Sequence, residues 1–175
     1  MVLDDFLHLL NDGYLYKYET KLIKGFDEPF YQASKSDKFA EIQFSHDYIR
    51  SALHELSHWC VAGVERRKLD DFGYWYAEDG RNQQQQDEFF KVEVKPQSIE
   101  WAFSIVCGVK FEASVDNLHT LVEGVEDFKK KLIVQLKEYL LEGFSQRVTE
   151  IIKIIAHEQK INNPMGFIEK QIGKK

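Results

Sequence analysis

The chain has 175 residues, a net charge of −6, and hydrophobic and aromatic contents of 43% and 14%. This length and composition suit a single domain with a substantial core. The sequence has no basic stripe except Lys129–Lys131, which lies within a predicted helix, so direct nucleic-acid binding is not expected. Because the N-terminus lacks a positively charged leader and no apolar run could span a bilayer, we expect a cytoplasmic protein without membrane association. Cys60 and Cys107 lie outside any CxxC pair and are expected to be buried thiols.

The first part of the chain alternates between helical and extended patterns. Apolar spacing predicts an amphipathic helix over residues 2–10, and the tyrosine-rich residues 14–23 are interpreted as a strand or an extended arm. Residues 24–29 are predicted to form a turn. Residues 40–44 alternate between apolar and polar side chains as a strand does, and they lead directly into a helix predicted over residues 45–63.

The second part is predicted to be mainly helical. A strand is expected over residues 89–94, followed by a helix that Pro96 opens at its first position and Gly108 ends. Further helices are predicted from residue 116 to a break at 143–145 and over residues 146–158, with a loosely ordered tail from Asn162. We therefore expect an α+β fold with a small mixed sheet beside the helix at 45–63. A single catalytic domain is predicted, with its core at roughly residues 14–115 and a helical C-terminal part at 116–160.

The predicted helix at 45–63 contains the string H-E-x-x-H, formed by His54, Glu55 and His58. Ser45 stands where an N-cap is expected, and Gly63 where a glycine would end the helix. Histidines four residues apart project from neighbouring turns, so both can ligate one metal ion. Glu55 could reach a metal-bound water or a substrate.

A third ligand is expected from a later segment, since two histidines alone bind a metal weakly. Glu93 lies at the end of the predicted strand, and Glu100 lies one turn into the following predicted helix. By its spacing, Glu100 resembles the helical glutamate of many H-E-x-x-H peptidases. The pattern does not choose between these two carboxylates.

The bare motif is compatible with three kinds of site. With zinc, Glu55 would act as the general base of a peptidase. With iron, two histidines and one carboxylate would leave positions open for dioxygen and substrate. A structural zinc would need a fourth ligand, which the pattern does not supply. The motif alone favours a hydrolase.

A wider set of motifs resembles the elongation factor P hydroxylase (EpmC) family over roughly residues 20–120. The matching strings are Leu22–Gly25, Asp27–Pro29, His54–Cys60, Ala62–Gly63, Arg66–Arg67, Asp71–Tyr76, Asp79–Arg81, Val92–Gln97 and Asp116–Leu118. The resemblance implies an oxygenase that hydroxylates the β-lysylated lysine of elongation factor P, on a fold like that of the H-E-x-x-H metallopeptidases (zincins). It implies Fe(II) as the working metal and dioxygen as co-substrate, although another divalent metal could occupy the site.

The same resemblance assigns the metal ligands. His54 and His58 match the family's histidines, and the V-E-V-K-P-Q string at Val92–Gln97 makes Glu93 the carboxylate ligand. Glu100 then becomes a candidate for a supporting position behind the ligands.

The expected substrate is a long cationic side chain on a protein loop. The carboxylates of Asp70, Asp71, Glu78 and Asp79 could attract it, and the rings of Tyr74, Trp75 and Tyr76 could contact its methylenes or ammonium. The alternative interpretation is a core aromatic cluster beside a solvated turn. Arg66 and Arg67 are expected to form structural ion pairs or to orient a ligand carboxylate.

Overall fold

The computed structural model describes residues 1–73, 82–115 and 123–173, in which helices surround one small sheet. The strands are β1 (Thr20–Phe26), β2 (Phe30–Gln32) and β3 (Ala40–Ser45). The α-helices are α1 (Leu3–Leu9), α2 (Ile49–Val61), α3 (Gln83–Cys107), α4 (Val125–Glu142), α5 (Gln146–Glu158) and α6 (Pro164–Ile172). The expected mixed α+β architecture is therefore confirmed. Among the described helices, none has the length and apolarity that crossing a membrane requires.

β3 is the central strand of the sheet. The strand order is β1-β3-β2, with β1 parallel and β2 antiparallel to β3. Ile42 of β3 pairs with Leu22 on one side and Tyr31 on the other. The side chains of β3 alternate between buried and half-buried, as the sequence predicts. The turn expected at residues 24–29 is shorter, because β1 continues to Phe26.

Side chains hydrogen-bond the backbone at both outer edges of the sheet. Asn11 accepts from the backbone N–H of Leu22 at 2.8 Å and donates to its carbonyl at 2.9 Å. On the opposite edge, Asp71 accepts from the N–H of Tyr31 at 2.9 Å and Asp70 accepts from that of Ala33 at 2.8 Å. These bonds occupy edge groups that could otherwise pair with another chain.

Asp70 and Asp71 thus have a structural role in the sheet. Each engages a carboxylate oxygen with the backbone of β2 or of the residue after it. The other substrate-contact candidates, Glu78, Asp79 and the aromatic run at 74–76, lie outside the described residues.

α2 begins later than the sequence predicts. Ser45 is the last residue of β3 and not an N-cap, since His46 and Asp47 turn the chain with φ of 60° and 49°. The N-cap is Tyr48, and the C-cap is Ala62, so Gly63 follows at the C′ position predicted for it. A short polar side chain at Asp47 and a ring at His46 tolerate this left-handed backbone better than β-branched residues do.

The end of α2 is held by α5. The Arg147 guanidinium lies over the Trp59 ring at 4.9 Å from its centroid and donates to the carbonyls of Cys60 and Ala62 at 3.0 and 2.6 Å. These bonds satisfy carbonyls at a helix C-terminus, where no intrahelical donor remains. Arg67 also donates to the Ala62 carbonyl, at 2.8 Å. The bonds from Arg147 and Arg67 hold the C-terminal end of α2 in place.

The prediction of a strand at residues 89–94 is wrong. Those residues belong to α3, a single helix of 25 residues that continues through Pro96. Asn82 and Gln85 form a reciprocal capping box at its start, and Gly108 ends it in the left-handed conformation, as predicted. The helix therefore begins at Gln83, more than three turns before the position that Pro96 suggests.

The C-terminal helices cover the outer side of α3, which contacts α4, α5 and α6. The bounds predicted for α5 are confirmed, but the tail expected to be loosely ordered forms α6. The side chain of Asn163 caps α6 by accepting from the N–H of Gly166, and Ile168 is fully buried. Cys60 and Cys107 are buried free thiols, as expected.

Replacing Asp71 with alanine is expected to lower the free energy of unfolding by about 1 to 3 kcal/mol, because the Tyr31 N–H loses its acceptor. Asp71→Asn keeps an acceptor oxygen and tolerates the positive φ of this position, so it is the matched control. Urea unfolding followed by circular dichroism measures both. Equal losses in the two variants would contradict the role given to this hydrogen bond.

Candidate metal centre

Two imidazoles of α2 meet edge to face. Because His54 and His58 are four residues apart on one helix, their rings lie on neighbouring turns with centroids 4.7 Å apart. Their Nε2 atoms are 3.1 Å apart. The side chains retain 24% and 15% of their accessible surface. The sequence prediction that these rings converge from one helix is confirmed.

Glu93 of α3 brings a carboxylate to the same point. Its Oε1 lies 3.3 Å from Nε2 of His58, and its Oε2 lies 3.7 Å from Nε2 of His54. The side chain is only 2% exposed. An ionised carboxylate buried to this degree needs a positive charge or hydrogen-bond donors beside it. The structure places both histidines and an amide there.

The three side chains fit the spacing that a metal ion requires. One ligand atom from each of His54, His58 and Glu93 lies within 4.8 Å of the other two. Ligand atoms about 2.1 Å from an ion, at tetrahedral or octahedral angles, are about 3.0 to 3.4 Å apart. The two Nε2 atoms, 3.1 Å apart, are within that range. Each Nε2 also lies near a different oxygen of Glu93, His58 at 3.3 Å from Oε1 and His54 at 3.7 Å from Oε2. Two imidazole nitrogens and the Glu93 carboxylate could therefore hold a divalent ion after small rotations of the side chains.

Glu100 contacts the other nitrogen of His54. Its Oε2 accepts from Nδ1 at 2.8 Å, two turns along α3 from Glu93. A carboxylate bonded to Nδ1 fixes the tautomer that leaves Nε2 free for a metal. The two candidate carboxylates therefore occupy different positions. Glu93 faces the Nε2 atoms of both histidines, and Glu100 bonds Nδ1 of His54.

The charges in this cluster shift one another's pKa. Burial opposes the positive charge of His54, but the hydrogen bond and charge of Glu100, with the charges of Glu93 and Glu55, outweigh it and raise the pKa of His54. Burial likewise opposes the charge of Glu93, but His58 and His54 outweigh it and lower the pKa of this carboxyl. The charged form of Glu93, which a metal would require, is therefore favoured.

Glu55 lies beside the cluster without joining it. It is half-buried between the turns that carry the two histidines, and burial raises the pKa of its carboxyl. The charge of this carboxylate interacts with those of His54, His58, Glu93 and Glu100. The two arginines after α2 bond backbone carbonyls: Arg67 that of Ala62 and Arg66 that of Phe72, at 3.0 Å for the latter.

Gln97 belongs to the site although no sequence pattern indicated it. Its Nε2 donates to Oε2 of Glu93 at 3.1 Å, and the residue is fully buried. The spacing of four residues between Glu93 and Gln97 would have indicated this contact if the segment had been predicted as a helix. The strand assumed over residues 89–94 concealed it.

Comparison with known proteins gives the same family as the sequence motifs. The family model EpmC, described as elongation factor P hydroxylase, matches residues 9–165. The elongation factor P lysine hydroxylase of Haemophilus influenzae is 41% identical over 154 residues, which cover 87% of this chain and 86% of that protein. The similarity therefore includes the helices on both sides of the metal centre as well as the C-terminal helices up to the start of α6.

Glu100→Gln is expected to weaken divalent-metal binding about 10- to 100-fold, because His54 loses its charged partner at Nδ1. Glu88→Gln is the matched control: it removes a carboxylate from the same helix that is exposed and pairs with Lys91. Titration of the metal-free chain with Zn²⁺ by calorimetry measures both affinities. A Glu100→Gln chain that binds Zn²⁺ as tightly as the Glu88→Gln chain would remove this role from Glu100.

Proposed function

The chain belongs to the elongation factor P hydroxylase family, and we propose that it hydroxylates the β-lysylated lysine side chain of elongation factor P. The geometry of His54, His58 and Glu93 carries the proposal. Three protein ligands from two adjacent helices could bind a metal on one side and leave its other positions open. A hydroxylase needs such open positions, whereas a structural metal is enclosed by four protein ligands.

Fe(II) is the metal that we propose, with dioxygen as co-substrate. Two histidines and one carboxylate are the ligand set of non-haem iron oxygenases, and bound iron supplies the redox chemistry by which they use dioxygen. In hydroxylation one oxygen atom enters a C–H bond and the other leaves as water, which consumes two electrons and two protons. A reductant outside this chain supplies the electrons.

The protein groups around the site act by positioning and by charge. Glu93 and the two imidazoles would hold the ion, and Glu100 would keep the His54 ring in its ligand orientation. Glu55 would accept a hydrogen bond from an ammonium group of the substrate. An ammonium neighbour stabilises the charged carboxylate that burial disfavours at this position.

The fold that we propose for this family member is a zincin-like core in a single catalytic domain. The supporting features are the H-E-x-x-H helix α2, the sheet packed against it through β3, and the packing of α3 against α2. Contacts of α3 with α4, α5 and α6 join the C-terminal helices to that core. The partner is elongation factor P, a translation factor, so we propose that the chain works in the cytoplasm.

The H-E-x-x-H motif is also compatible with a zinc peptidase, which is the alternative function. In that case the Glu55 carboxylate would be the general base that activates water. The family match favours hydroxylation of the modified lysine, for which Glu55 is not required as a base.

In cells that lack this chain, the peptide of elongation factor P that carries the modified lysine is expected to be lighter by the mass of one oxygen atom. Mass spectrometry of that peptide measures the difference. Complementation with Glu93→Gln should leave hydroxylation at least about 100-fold below the wild-type level, since a ligand is lost. Complementation with the exposed control Glu88→Gln should restore it. Persistence of the oxygen atom in cells without the chain would refute the proposed function.

Glu55→Gln separates the two reaction classes. A bond from the Glu55 carboxylate to a substrate ammonium is charge-assisted, so its loss should raise KM about 10- to 100-fold with a smaller change in kcat. The peptidase alternative predicts that wild-type protein cleaves elongation factor P and that Glu55→Gln abolishes the cleavage. Kinetics on the β-lysylated protein, followed by intact-mass measurement, distinguish these outcomes.

A further inference from the structure

Gln97 is a buried amide with three hydrogen bonds. It lies one turn after Glu93 on α3 and is fully inaccessible. Its Nε2 donates to Oε2 of Glu93 at 3.1 Å and to the carbonyl of Ser114 at 2.9 Å. Its Oε1 accepts from the backbone N–H of Ser114 at 3.0 Å. Both amide hydrogens and the amide oxygen are therefore used.

The backbone of Ser114 fixes the orientation of this amide. An N–H can be met only by Oε1, and a carbonyl only by Nε2, so rotating the Gln97 amide by half a turn would oppose like groups at both positions. The second hydrogen of Nε2 then has one direction available, toward Glu93. The rotamer of a carboxylate in the metal centre thus depends on a backbone segment that contributes no metal ligand.

That segment, residues 109–115, runs back along α3. The ring of Phe111 stacks on Trp101 with centroids 5.0 Å apart, Ser114 bonds Gln97, and the Val115 carbonyl accepts from Gln86 at 2.9 Å. The partners on α3 occur in decreasing order along the segment, so the two run antiparallel. Gln97 is the contact in this series that also touches Glu93.

We propose that Gln97 is a positioning residue through which metal binding and the ordering of residues 109–115 favour each other. The proposal rests on the proposed function, since it takes Glu93 as a ligand. When the segment is in place, Gln97 presents an N–H to Oε2 of Glu93 and the carboxylate is held ready for the ion. When an ion fixes Glu93, the amide is held in turn, and the Ser114 bonds are strengthened. Such coupling is reciprocal by thermodynamic necessity.

The test uses the full chain and Co²⁺, whose visible absorption reports its ligands. Gln97→Met keeps the length of the side chain but has no hydrogen-bonding amide, and it should weaken Co²⁺ binding about 10- to 100-fold. Ser114→Pro removes the backbone N–H that donates to Oε1 of Gln97, together with the serine hydroxyl, and should weaken binding in the same direction. Ser114→Ala keeps both backbone groups and should bind Co²⁺ as the wild type does.

A second measurement follows the segment instead of the metal. In the wild type, Co²⁺ should slow hydrogen exchange of the Ser114 amide by a factor comparable to the affinity lost in Gln97→Met. In Gln97→Met that effect of the metal should disappear. A merely structural role for Gln97 would change exchange equally with and without Co²⁺.

The outcomes separate this proposal from the proposed function. Wild-type affinity in both Gln97→Met and Ser114→Pro would overturn the coupling while leaving the metal centre intact. Absence of Co²⁺ binding in the wild type would instead refute the metal centre itself. If circular dichroism shows that Gln97→Met does not fold, then Ser114→Pro and exchange in the wild type decide, and exchange unaffected by Co²⁺ would overturn the proposal.

Discussion

The structure depends on the burial of one carboxylate against two imidazoles. Glu93 is 2% exposed, and a charge at that depth is tolerated only where partners replace the lost water. His54 and His58 supply them from α2, and Gln97 supplies a donor from the turn of α3 that follows. Each group constrains the others, so α2 and α3 must pack in one register for any of them to be satisfied. The same register would bring three ligands to one ion.

Most of the remaining structure holds α2 and α3 in that register. The sheet packs on α2 through β3, and its edges are closed by Asn11, Asp70 and Asp71. Arg147 ties the end of α2 to α5, so the C-terminal helices also support the histidine pair. The family similarity includes α5, whose Arg147 makes this contact although the helix carries none of the proposed ligands.

α3 shows how tertiary packing can outweigh a local pattern. Its segment at residues 89–94 has the apolar and β-branched side chains typical of a strand, and Pro96 lacks the N–H that a helix interior uses. The helix continues because many of its side chains are buried against neighbouring helices. Ser98 bonds the carbonyls of Val94 and Leu132 at 2.6 and 3.1 Å, which fastens the turn around the proline to α4. One consequence is that Glu93, Gln97 and Glu100 share a face, which a strand followed by a new helix would not have given.

Features that depend on local spacing could be predicted from the amino-acid sequence. A histidine pair four residues apart had to converge on a helix, the alternation at residues 40–44 predicted β3, and the motifs around them indicated the family. Tertiary structure decided what depends on contacts distant in sequence. It placed Glu93 toward both Nε2 atoms and Glu100 toward Nδ1, and it linked Ser114 to the site through Gln97. The physical reason is that a local pattern fixes which side chains share a face, whereas the choice between two carboxylates on that face depends on how one helix packs against another.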